Sequence, residues 1–172
     1  MRKIKNPIVA TASLYAIMAS VVLLQDAGMD EKPPLVARMW FAWGQSCAYW
    51  GNRTLAKALH RWATGSFTRA LAIAPAWREP LLRRAVIRGR ELDDYAGAVR
   101  DLTTLIEQHP DWYEPYLQRG LLHSFHGLHA AQRAIDDFAT FLQLAPATHT
   151  WRPDAERLTA RLQGEIAERN FS

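Results

Sequence analysis

Ala98-Val99-Arg100-Asp101-Leu102-Thr103-Thr104-Leu105-Ile106-Glu107-Gln108-His109-Pro110 is one of three stretches that share a register. Pro75, Pro110 and Pro146 lie 35 and 36 residues apart. Twelve residues before each proline stands an alanine: Ala63, Ala98 and Ala134. Eight before it comes an aromatic or leucine (Phe67, Leu102, Phe138), and four before it an aliphatic residue (Leu71, Ile106, Leu142). Steps of four keep these side chains on one helix face, and a proline cannot continue the helix. Four positions agreeing in three copies mark an internal repeat, whose units bury their apolar faces by stacking on one another. No stretch alternates with period two, so the expected class is all-α.

Asp94-Tyr95-Ala96-Gly97-Ala98 resembles the turn and second-helix start of the tetratricopeptide repeat (TPR), a helix-turn-helix of about 34 residues. Ala85 and Gly120 fill the small position of the first helix, and Gly127 sits at the turn of the last full repeat. The resemblance covers Trp77 to Pro146; between Ala37 and Pro75 only the second half matches. It implies repeats at 76–110 and 111–146, a divergent first helix pair at 37–75, and a capping helix within 147–172. Together these make an α-solenoid of about three TPR-like helix pairs. The end of such an array needs a polar outer face. Leu158, Leu162 and Ile166 form a narrow apolar stripe, while Glu156, Arg157, Arg161, Glu165 and Glu168 cover the rest. The resemblance also implies a concave, partner-binding face lined by first helices. Here that face comprises Leu82, Val86, Leu117, Leu121 and Phe125, with Arg83, Arg90 and Gln118 toward its edges. A mostly apolar groove suits a partner helix or hydrophobic segment.

The formal charge is +4. Arg2, Lys3 and Lys5 carry most of it: without them 18 basic residues face 17 acidic ones. A near-neutral globular part lacks the basic face a nucleic-acid binder requires. Ile8 to Leu24 holds no charged residue and, as a helix, would span roughly 25 Å, near the short end for a bilayer core. Asn6-Pro7 fits a helix start. The residues after the run offer no good pair of small residues for cleavage, so the reading adopted is a retained signal anchor over 1–25, followed by a linker at 26–36. The preceding cations place the N-terminus in the cytoplasm and the repeats outside, in a periplasm or its equivalent, with the chain single-pass in an inner or plasma membrane. Ala12, Ala16 and Ser20 stack along one side of that helix, where small residues let another transmembrane helix approach.

Trp40, Trp43, Cys47 and Trp50 share one helix face, open to two readings: core packing, or contact with lipid headgroups or a membrane partner. Cys47 is the sole cysteine, which excludes an internal disulfide and a cysteine-based zinc cluster. No phosphate-binding glycine loop or His-Glu-x-x-His occurs. Gly44-Gln45-Ser46-Cys47-Ala48 lacks the preceding strand a nucleophile elbow needs. His123, His126 and His129 are spaced by three, whereas a helical metal pair wants a spacing of four or a nearby carboxylate. The basic run Arg83-Arg84-Ala85-Val86-Ile87-Arg88-Gly89-Arg90 reads as a solvated face or as a docking edge for an acidic tail or headgroup.

The expectation is a non-catalytic, membrane-anchored scaffold that mediates protein–protein interaction, as an accessory subunit or assembly factor of a membrane complex. The alternative is a periplasmic adaptor or regulator in an export or polysaccharide-synthesis machine. Its partners would be membrane or membrane-associated proteins, with lipid around the N-terminal helix. No nucleic acid, cofactor, metal or small-molecule substrate is expected.

Overall fold

The computed structural model describes residues 32–125 and 130–170. They form seven helices: α1 (Leu35–Thr54), α2 (Lys57–Ile73), α3 (Arg78–Glu91), α4 (Tyr95–Gln108), α5 (Tyr113–Phe125), α6 (Ala131–Leu144) and α7 (Arg152–Asn170). The residues through Ile87 make one compact unit and those from Arg88 a second, with the division inside α3.

In the first unit α1 and α2 pack on each other around Phe41, Phe67 and Trp77. The Phe41 ring lies 5.6 Å from that of Phe67 and 4.7 Å from that of Trp77. The helices approach closely because Gly44 faces Phe67: a Cβ there would stand 2.6 Å from the ring. Pro34 starts α1 abruptly, its own ψ of 145° being extended. The start of α1 carries no side-chain cap, so packing rather than end chemistry holds it.

In the second unit Asp94 caps α4 by accepting the Gly97 amide at 3.0 Å, satisfying one of the donors that a helix start leaves over. Leu117, Ala131, Ala134, Phe138 and Phe141 form the core of this unit, joined by Ala155 and Leu162 from α7. Leu158 and Ile166 pack against the same cluster, so the apolar stripe of α7 covers it. The Arg152 guanidinium donates to the carbonyls of Leu142 and Ala145 at 2.6 and 3.0 Å, so the first residue of α7 caps the end of α6. The register alanines Ala63, Ala98 and Ala134 are fully buried, as are Phe67, Leu102 and Phe138. At the small positions Ala85 is buried, and a Cβ on Gly120 would stand 2.8 Å from the Phe138 ring.

The transmembrane helix expected at the head of this fold is corrected. Among the described residues no helix is long and apolar enough to cross a membrane. α1 has the length at 20 residues, but it carries Arg38, Gln45, Asn52 and Arg53 and already buries one side against the unit. α7 is charged around most of its circumference. Ile8–Leu24, with Ala12, Ala16 and Ser20, lies outside the described residues. What stands is that the described residues are all-α, in seven helices.

Candidate interaction surfaces

The residues expected to line a groove fall into different environments. On α3, Leu82 and Val86 are half-buried and Arg83 is exposed, all in the first unit. Arg83 and Val86 are three apart and so lie on one side of the helix. Arg90, in the second unit, is exposed. On α5 the outcome differs. Leu117 is 1% exposed and belongs to the core, so its place in a partner-binding groove is corrected. Leu121 is half-buried against the same cluster. Gln118 Nε2 donates to Glu114 Oε1 at 2.9 Å along its own helix. Phe125, at 78% exposure, is open to solvent. The α5 side chains expected to form one apolar face thus divide between the core and the surface.

A buried ionic cluster links α4, α5 and α6, and the sequence reading missed it. Asp137, 4% exposed, receives a two-pronged hydrogen bond from Arg119, with Nε to Oδ2 at 2.9 Å and Nη2 to Oδ1 at 2.7 Å. Arg119 Nη1 also donates to the Thr103 hydroxyl at 3.0 Å. The bonds to Asp137 hold the Arg119 guanidinium above its ordinary value, against the opposing effect of burial. His123 Nε2 stands 4.0 Å from Asp137, and its Nδ1 shares a 2.6 Å hydrogen bond with the Tyr95 hydroxyl. Burial pushes the Tyr95 phenol up; Arg133 opposes the shift and Asp137 adds to it. A cleft of about 290 Å³ lies alongside, lined by Val99, Thr103, Arg119, His123, Arg133, Asp136 and Asp137. Asp101 is the counterpart of Asp137, buried and bonded to Arg88 at 2.8 Å, with Arg88 also 3.5 Å from Asp94. The signal was in the register: Asp101 and Asp137 each follow a repeat alanine by three residues, as Ser66 follows Ala63.

The cluster holds helices together and leaves little reactivity to spare. Both oxygens of Asp137 are engaged by one guanidinium, and the His123 ring is tied to Tyr95. Among the described residues no three His, Cys, Asp or Glu side chains are grouped to hold a metal, and His126 and His129 lie outside them. Gly44 to Ala48 belongs to α1, where the Ser46 hydroxyl donates to the Ala42 carbonyl at 3.0 Å. Cys47 is buried, which pushes its thiol up, away from the reactive thiolate.

The aromatic face of α1 is divided. Cys47 is buried, and Trp40 is half-buried beneath the Arg69 guanidinium, 4.7 Å from its ring. Trp43 and Trp50 remain exposed, together with Leu35, Val36, Met39 and Tyr49.

Solved structures similar to this chain include TPR domains. The Sgt2 TPR domain from Aspergillus fumigatus matches with a TM-score of 0.59 at 19% identity, over 75% of this chain and 82% of that one. The first TPR of Spaghetti (RPAP3), bound to the HSP90 peptide SRMEEVD, matches with a TM-score of 0.57 at 18% identity, over 74% of this chain and 95% of the other. The second TPR domain of human RPAP3, in complex with the HSP70 peptide SGPTIEEVD, matches with a TM-score of 0.55 at 21% identity, over 74% and 98%. At these identities the likeness establishes the fold. No family model matches the sequence. No curated protein matches it either.

Proposed function

We propose that this chain is a non-catalytic docking module, an accessory or assembly factor that holds another protein through the open side of α3. The observation that carries the reading is the side formed by Leu82, Arg83 and Val86: an accessible apolar strip with a cation beside it, on a helix whose opposite side is buried through Leu81 and Ala85. Helix-repeat folds present such strips to extended or helical segments, where apolar anchors supply affinity and charges set register. Two of the similar TPR domains carry a bound chaperone peptide, in keeping with a peptide-holding role. One exposed arginine beside two half-buried aliphatics differs from a site built mainly of charges. The partner segment that fits has an apolar residue against Val86 and an acidic one beside Arg83.

The test is site-specific photo-crosslinking in cells producing the full chain. A photoreactive residue replaces Val86 in one variant and Gln132, exposed on α6, in a control. A discrete adduct from position 86 is expected, absent from position 132 and lost when Arg83→Glu is added with helical content unchanged. Equal labelling from both positions, or an adduct indifferent to Arg83→Glu, overturns the reading.

A further inference from the structure

The exposed residues of α1 are ordered. Val36, Trp43 and Trp50 are spaced by seven, and Met39 falls between the first two, so all four lie on one narrow stripe of the helix. Their exposures run from 43 to 55%, although each is an apolar side chain. The other side of α1 is occupied, with Phe41, Ala42 and Gly44 buried in the first unit. With Leu35 at its head the stripe leaves roughly 500 Å² of apolar surface in water, as much as the largest patch a soluble monomer ordinarily shows. A seven-residue spacing is the spacing that a second helix reads.

We propose that this stripe pairs with the same stripe of a second copy, α1 against α1, antiparallel about a two-fold axis at Trp43. Three features select a second copy as the occupant. First, the pattern is self-complementary: Trp43 is central, and reversal sets Val36 of one chain opposite Trp50 of the other, small against large. Second, the charged residues of α1 are Arg38 and Arg53, both cationic. A parallel pair would set each arginine beside its own copy. The antiparallel pair puts Arg38 opposite Ala48 and moves Arg53 past the start of the opposing helix. Third, two such stripes bury about 1,000 Å² between them, the lower bound for a specific interface. Trp50 is steadied from the side by Tyr49, 5.6 Å away and edge-on, and Tyr49 in turn carries Arg53 over its ring at 5.8 Å. That leaves the aromatic rim ordered before association.

Sedimentation velocity of the full chain over a range of concentrations, joined to cysteine crosslinking in a Cys47→Ala background, tests the proposal. A reversible monomer–dimer equilibrium is expected. Trp43→Glu should raise the dissociation constant at least about 30-fold, as loss of a central aromatic anchor does. Far-UV circular dichroism should not change, because Trp43 lies outside the fully buried core of α1. Trp43→Cys alone should oxidise to a crosslinked dimer. Val36→Cys mixed with Trp50→Cys should crosslink, while neither does so alone. A chain that stays monomeric at about 100 µM overturns the proposal. So does a dimer indifferent to Trp43→Glu, since residues 8–24 or another surface would then carry it. Crosslinking of Val36→Cys to itself in place of Trp50→Cys overturns the antiparallel geometry.

Discussion

Replacing Gly120 with alanine tests the close helix crossing in the second unit. The added methyl would stand 2.8 and 2.9 Å from two carbons of the Phe138 ring and 3.3 Å from the Asp137 Cβ. Neither neighbour has room to yield. Phe138 is fully buried, and Asp137 is held by the Arg119 fork. Forcing one carbon into a packed site costs about 1–3 kcal/mol. Helix propensity works the other way, because alanine exceeds glycine by roughly 1 kcal/mol in a helix interior. Gly164 separates the two effects: it lies in α7 with nothing within 4 Å of an added Cβ. Gly164→Ala therefore stabilises by the propensity gain alone. Gly120→Ala should be less stable than Gly164→Ala by about 1–3 kcal/mol, the overpacking cost, since the helix gain is common to both. Urea unfolding followed by circular dichroism reads the difference directly, provided the slopes match. Phe138→Leu should shrink the penalty of Gly120→Ala in a double-mutant cycle, because the ring is the obstacle. Equal stability of Gly120→Ala and Gly164→Ala would refute the close crossing.

Asp137→Ala leaves the part-buried Arg119 guanidinium without its two-pronged acceptor and should cost about 3 kcal/mol in urea unfolding, with Asp137→Asn recovering part of it. Tyr95 gives a pH signature. Its folded-state value is raised, so the stability it lends is complete below the ordinary tyrosine value and is lost as pH rises through the higher folded one. Thermal melts should therefore fall in the alkaline range, and Tyr95→Phe should flatten that fall while lowering stability at neutral pH by about 1 kcal/mol through the lost bond to His123.

The repeat was legible because its residues sit where helices cross. Ala63, Ala98 and Ala134 are buried for the reason that made them visible: any larger side chain would separate the helices. The stripe of α7 was legible in the same way, since Leu158, Leu162 and Ile166 alternate with charge at helical spacing. Periodicity gives a face and leaves its neighbour unspecified. Leu117 and Phe125 are eight apart on one helix, yet one is core and the other is in solvent, because α6 and α7 cover only one end of that face. Trp40 and Trp43 divide in the same manner, since Arg69 reaches across from α2 to cover only the first. Length and apolarity, the two properties by which Ile8–Leu24 was read as an anchor, likewise carry no information about what surrounds a segment.

The polar register position takes this further. Ser66, Asp101 and Asp137 all follow a repeat alanine by three residues, and all are buried. Burial at a helix crossing obliges each to find a partner, and the side chain decides how far away that partner can be. Serine reaches only its own helix, and the Ser66 hydroxyl donates to the Trp62 carbonyl at 2.8 Å. An aspartate carries a charge as well and needs a cation from the preceding helix. Asp101 takes Arg88 and Asp137 takes Arg119, yet these are not register equivalents. Thirty-five residues after Arg88 comes His123, and thirty-five before Arg119 comes Arg84. The two repeats thus neutralise equivalent acids from different turns of the preceding helix. With Asp137 gripped from the Arg84 position, the Arg88 position is left to a histidine that bonds to Tyr95 and stands 4.0 Å from Asp137. A period in the sequence can locate the buried acid, but the cation is chosen by side-chain reach across a crossing, and that has no fixed period.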